Sequence, residues 1–204
     1  MKTAPPVATA LALLLVACSD AQSPPPASGA TTGPEAAGAP ASTDASAVTS
    51  QPAIASRFIP FSTCKVIESN EEEDWSTSRC EALAGYTVLL DYSDVRDDLR
   101  IAVKGGKLVS LGISAAGGGG FNSLGPTFEW RGKGEGAGFV PHALIVRNGV
   151  SEDPEHSERQ TSTLAVIDLA RLCVIALVRP GADQNVRAQA IADGGTQACL
   201  TRGD

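Results

Sequence analysis

The chain has 204 residues, of which 43% are hydrophobic and only 4% aromatic, with 21 Gly and 13 Pro. That length accommodates one domain plus extensions. The net charge of −7 repels polyanions, so nucleic acid is excluded as a natural partner, while the acidity fits solubility or a basic protein partner.

Met1-Lys2 gives a short basic start, Val7 to Val16 is apolar, and Leu15-Val16-Ala17-Cys18 closes the run on a small-residue cleavage site. The run is too short for a membrane span, which needs about 20 apolar residues. Leu15-Val16-Ala17-Cys18 matches the lipobox at all four positions, so residues 1–17 resemble a bacterial lipoprotein signal peptide. That resemblance implies a diacylglycerol on the Cys18 sulfur, cleavage before Cys18 and acylation of the new amine. One acyl chain anchors marginally and two or three hold firmly, so the partner expected first is the membrane. The alternative is an ordinary secretory signal with a chance cysteine. Ser19 after the cysteine resembles outer-membrane sorting towards the periplasm, whereas Asp20 argues against it, and a Gram-positive surface is the alternative address.

Ser19 to Ala55 is almost wholly Ala, Ser, Thr, Pro and Gly, with charge only at Asp20, Glu35 and Asp44. Such a segment buries too little surface to offset its ordering entropy and is expected to be disordered. Its 37 residues make a tether with a reach of about 35 Å. Residues 18–55 are therefore the lipidated cysteine and tether, and 56–204 the folded domain. Without the signal and tether, 15 basic residues face 20 acidic ones, leaving −5 for the domain.

With Cys18 assigned to lipid, Cys64, Cys80, Cys173 and Cys199 form an even set. In an oxidising compartment they are expected to make two disulfides. Four cysteines allow three connectivities; Cys64–Cys80 and Cys173–Cys199 are favoured, each contributing about 3 kcal/mol. There is no Cys-x-x-Cys pair or Cys/His cluster, so zinc is not expected.

Between the first two cysteines, Glu68 and Glu71-Glu72-Glu73-Asp74 place five carboxylates within seven residues, followed by Trp75. The spacing and central Gly of an EF-hand are missing, so no metal is expected. The plain reading is a solvated, disulfide-framed loop. The functional one is a docking surface for a basic protein, with Trp75 as aromatic anchor.

Candidate strands follow at Tyr86–Tyr92, Leu99–Lys104, Lys107–Ser114, Thr127–Arg131, His142–Arg147, Thr163–Leu169 and Cys173–Arg179. They are short, rich in β-branched residues and separated by turn signals. Lys104-Gly105-Gly106-Lys107 reads as a two-residue hairpin turn, and Leu169–Leu172 as a second tight connection. Short links force antiparallel pairing. The glycine run 117–120 lacks the Gly-Lys-Ser/Thr ending of a phosphate loop, so no nucleotide or other cofactor is expected.

In FNSLGPTFEWR (121–131), Phe128 and Trp130 alternate with Glu129 and Arg131, giving one aromatic and one charged face. The aromatics supply scarce core bulk. In the functional reading, Glu129, Trp130 and Arg131 form a recognition edge. His142 sits in an apolar strand after Pro141, and His156 in a charged loop. No nucleophile turn such as Gly-x-Ser-x-Gly accompanies them. In DQNVRAQAIADGG, Val186, Ala190 and Ile191 share a helical face, Asp183 caps the start and Gly194-Gly195 ends the helix. The expected fold is α+β, mainly antiparallel β as a sheet or partly closed barrel, with one C-terminal helix and two disulfides.

Taken together, Trp75, Cys80, Gly85-Tyr86, Asp98, Arg100, FNSLGPTFEWR and Cys173 resemble a pattern in uncharacterised exported proteins of alphaproteobacteria, over roughly Arg57 to Cys199. The resemblance implies export and an intact fold; it brings no activity and no catalytic residues. Sequence therefore points to a non-catalytic, lipid-anchored binding domain for a basic protein or envelope component, such as an inhibitor of a basic cell-wall hydrolase. The alternatives are an envelope hydrolase using carboxylates and His142, or a structural envelope lipoprotein.

Overall fold

The computed structural model describes residues 53–153, 155–156 and 158–200. The expected signal peptide, Cys18 and most of the expected tether lie outside the described residues. The elements run β1 (Ile54–Pro60), β2 (Lys65–Asn70), β3 (Trp75–Cys80), β4 (Thr87–Ser93), β5 (Arg96–Ala102), β6 (Val109–Ser110), α1 (Ile113–Ala116), β7 (Asn122–Lys133), β8 (Val140–Ser151), β9 (Gln160–Asp168), β10 (Cys173–Val178) and α2 (Gln184–Gly194).

These strands form one mainly antiparallel sheet in the order β10-β9-β8-β7-β5-β4-β3-β2, with β1 added to β7 and β6 to β5. The two halves meet at a single parallel pairing, Arg96 with Asn122. β10 and β2 do not pair, so the sheet stays open rather than closing into a barrel. Both disulfides have the expected connectivity, Cys64–Cys80 and Cys173–Cys199.

The apolar runs of the strands explain how they are covered. β8 and β9 read as continuous hydrophobic segments, which suits strands buried on both faces. Leu144, Val146, Ala165 and Ile167 point into the main core with Val88, Leu99, Ile101, Phe128 and Trp130. Because that cluster draws on both halves of the sheet, the sheet curls around it. The alternate residues Ala143, Ile145, Leu164 and Val166 form a second layer under Ala188 and Ala192 of α2.

Several local expectations change. The helix spans the expected residues and ends at Gly195 in the left-handed region (φ +58). Its buried face, however, is Gln184, Ala188 and Ala192; Val186 is 67% exposed and Ala190 is also on the surface. Small residues bring the helix close to the sheet, and Gln184 is buried because its amide donates to Ser162 and Val178 carbonyls at 2.8 and 2.9 Å. Asp183 sits at the cap position without capping; its carboxylate takes Arg187 instead.

The strand expected over Lys107–Ser114 shrinks to two residues. Gly112 turns left-handed (φ +62) and α1 begins after it. Asp98 drives this break by accepting hydrogen bonds from Ser110 Oγ (3.2 Å), Gly112 N (3.1 Å) and Ile113 N (2.9 Å). The Gly105-Gly106 turn is present, closed by Gly106 N to Val103 O at 2.8 Å, within a longer connection than a two-residue hairpin. The Leu169–Leu172 connection is tight as expected, with Asp168 accepting both Ala170 N and Arg171 N.

Candidate functional site

The acidic run forms the tip of the β2–β3 hairpin rather than a free loop. Asn70 starts the turn: its Oδ1 accepts Glu72 N at 3.0 Å and Glu73 N at 3.3 Å, the local bonding Asn favours in turns. Asp74 takes the left-handed conformation (φ +50) and accepts the Tyr92 hydroxyl at 3.2 Å. Trp75 is half-buried and its indole donates to Glu73 at 3.0 Å. The Cys64–Cys80 bond braces the other end of the hairpin. Glu71, Glu72, Glu73 and Asp74 are all exposed, and no lysine or arginine among the described residues pairs with them.

β7 separates its side chains as its alternation predicts. Phe128 stacks on Phe61 with ring centroids 4.1 Å apart, and Trp130 lies 5.6 Å from Tyr86. Trp130 has no exposed surface, so it is a core residue and is removed from the expected recognition edge. Glu129 and Arg131 emerge on the other face, beneath α2. Arg131 forks onto Asp193, Nε to Oδ1 at 3.1 Å and Nη2 to Oδ2 at 2.5 Å, and its Nη1 reaches Ser56 at 2.7 Å. Ser56 and Gln189 donate to Glu129 at 2.5 and 2.7 Å. His142 Nε2 lies 3.2 Å from Asp193 Oδ1. This network ties β1, β7 and β8 to α2.

Partial burial works against the Asp193 charge, but the Arg131 hydrogen bonds and charge, then His142, hold its carboxyl below the usual carboxylate range. Asp168 follows the same logic: burial opposes its charge, and Arg171 more than compensates. Among the described residues, no serine, threonine or cysteine pairs with His142, so the cluster lacks the activated nucleophile of a hydrolytic triad. His156 is 54% exposed beside Glu158, at 3.3 Å.

Where the C-terminal end of α2 meets the ends of β1, β7 and β8, a cleft of about 600 Å³ opens, lined by Lys133, Val140, His142, Asp168, Ala192 and Asp193 among others. The acidic tip does not reach it. Trp75 aligns with Ser93, Ser93 with Arg96, and Arg96 with Asn122 at the start of β7. Glu129 lies further along β7, and because β7 bulges between Leu124 and Phe128, Asn122 and Glu129 pair with Val150 and Ile145, five residues apart on β8, roughly 17 Å at 3.3 Å per residue. The sequence-predicted binding residues thus fall into two places: Glu71 to Trp75 at one hairpin tip, and Glu129 and Arg131 under the helix.

Sequence reasoning missed Ser56, Gln189 and Asp193. Asp193 carried a readable signal, because a carboxylate in the last helical turn faces the negative end of the helix dipole and calls for a cation. Ser56, a small polar residue next to the expected tether, carried none. No family model, curated protein or solved structure matches the chain, so the functional reading rests on this geometry.

Proposed function

We propose that the chain is an exported, lipid-anchored binding domain that captures a basic protein of the cell envelope through the β2–β3 hairpin. One observation carries this: a disulfide-braced hairpin presents four exposed carboxylates that no cation of the described residues neutralises. Leaving such charges unpaired costs little in water and raises association rates with a basic surface. The Trp75 ring beside them supplies apolar contact area of the kind that anchors interfaces. A basic cell-wall hydrolase such as a lysozyme is the specific partner class, with the hairpin entering its cleft.

Lipid on Cys18 and the tether would set where this capture occurs, at a membrane face within about 35 Å of the surface. Among the described residues no helix is long and apolar enough to cross a membrane. Mass spectrometry of the exported protein tests the anchor: acylated Cys18 at the new N-terminus is expected, and a free thiol there would remove it. Capture from envelope extract tests the binding role. A basic protein retained at low salt and released at high salt is expected; an empty or salt-insensitive result overturns the reading.

A second reading, a hydrolase, draws on the His142–Asp193 pair at the cleft. It requires a nucleophile or activated water there. Loss of an envelope hydrolytic activity in His142→Gln, with stability retained, would favour it.

A further inference from the structure

We infer that the cleft at the C-terminal end of α2 binds a small amphipathic anion, an apolar body carrying one carboxylate or phosphate. This site is separate from the acidic hairpin and does not depend on the role given to it.

The cleft volume of about 600 Å³ lies within the roughly 300–1,000 Å³ of small-molecule pockets, which are largely apolar with a few placed polar groups. Strand register sets its mouth. Lys133 pairs with Ile54 on one side and Val140 on the other, and cross-strand partners share a face. Ile54 is 38% exposed and Val140 67% exposed. Two apolar side chains thus flank a lysine at the edge of a hollow that is also lined by the buried Ala192 and the exposed Ala170.

The sign of the site follows from which charges are already answered. Two carboxylates line it, but neither is free. Arg131 forks onto Asp193, and Arg171 forks onto Asp168 at 3.0 and 2.8 Å. Arg171 also reaches the carbonyls after the helix, Gln197 at 2.7 Å and Gly195 at 3.4 Å, answering the negative end of the α2 dipole. Lys133 has no carboxylate partner among the described residues. Lys133 is therefore the charged lining residue that no opposite charge among the described residues answers. His142 adds a second ring nitrogen with no partner among the described residues. In a domain of net negative charge this leaves one unanswered cation beside apolar side chains. An anionic head at Lys133 with its body against Val140, Ile54 and Ala192 satisfies both; a cationic amphiphile would leave Lys133 opposed by like charge.

The test is a titration of the full chain with octanoate, octyl phosphate, octan-1-ol and octylamine, followed by amide chemical shifts. Saturable shifts at Ala170, Ala192 and Gly195 with octanoate or octyl phosphate are expected, and none that saturate with octylamine. Saturation by only one of the two anions supports the site and identifies the head group. Lys133→Gln should weaken the anion about tenfold, which is about 1.4 kcal/mol, and Val140→Ser should weaken it too. No shifts with either anion, octylamine binding as tightly as octanoate, or wild-type affinity in Lys133→Gln would each overturn the inference.

Discussion

Replacing Asp193 by Asn tests whether the polar network beneath α2 holds the helix to the sheet. The carboxylate accepts two hydrogen bonds from Arg131 and one contact from His142. The Arg131 side chain is only 11% exposed and Asp193 25%, so solvent screens the pair incompletely. Hydrogen bonds to charged groups contribute about 1.5–3 kcal/mol, and stranding a mostly buried guanidinium costs more than losing a surface pair. We expect Asp193→Asn to lose about 2 kcal/mol, a fall in Tm of about 4–8 °C at this size, read by thermal and urea unfolding. The pH dependence supplies the sign. Arg131 and His142 hold the Asp193 carboxyl below its usual range against the effect of burial. A depressed carboxyl contributes stability that is complete above its unfolded pKa and lost as pH falls through the folded one. Wild type and variant should therefore differ at neutral pH and converge in acid. Equal stability at neutral pH, or a gap that persists in strong acid, would refute the reasoning.

Trp130→Ala should cost about 3–5 kcal/mol, because the ring is fully buried and packs on Tyr86; a loss under 1 kcal/mol in urea unfolding would return Trp130 to the surface. Gly132→Ala should be destabilising by about 1–3 kcal/mol. An added Cβ would sit 2.5 Å from the Val140 carbonyl oxygen, 2.6 Å from Phe139 Cζ and 2.8 Å from Pro141 Cα, and backbone atoms do not yield; unchanged thermal unfolding would contradict that packing.

Sequence made β8, β9 and β10 legible because they carry continuous apolar runs, and β7 because Phe128 and Trp130 alternate with Glu129 and Arg131. The seven expected strands correspond to β4 to β10, with β6 much shortened. β1, β2 and β3 were not anticipated. WSTSRC is mostly polar and the Val66 and Ile67 of KVIESN are both exposed, because β2 lies at the sheet edge and β3 beside it, so burial left no periodic mark. β1 was hidden because its first two residues, Ile54 and Ala55, fall within the segment expected to be a tether. The helix limits were legible from Asp183 and the terminal glycines, but its buried face was not, since Ala188 and Ala192 are chosen for close approach rather than hydrophobic bulk. The favoured disulfide pairing, one of three that four cysteines allow, is the one formed. Of the site residues, Glu129 and Arg131 were recognised as one charged face, whereas their partners lie more than 50 residues away in sequence and only folding unites them.

The most direct measurement of the binding role is the affinity of the full chain for a purified basic lysozyme, for wild type and for Glu71→Gln/Glu72→Gln/Glu73→Gln, at about 0.02 M and 0.3 M salt, where the screening length differs several-fold. The account predicts wild-type binding that weakens at the higher salt, a large loss in the triple variant at low salt, and no loss in Lys133→Gln. Absent binding, salt-independent binding, or a triple variant equal to wild type would contradict it.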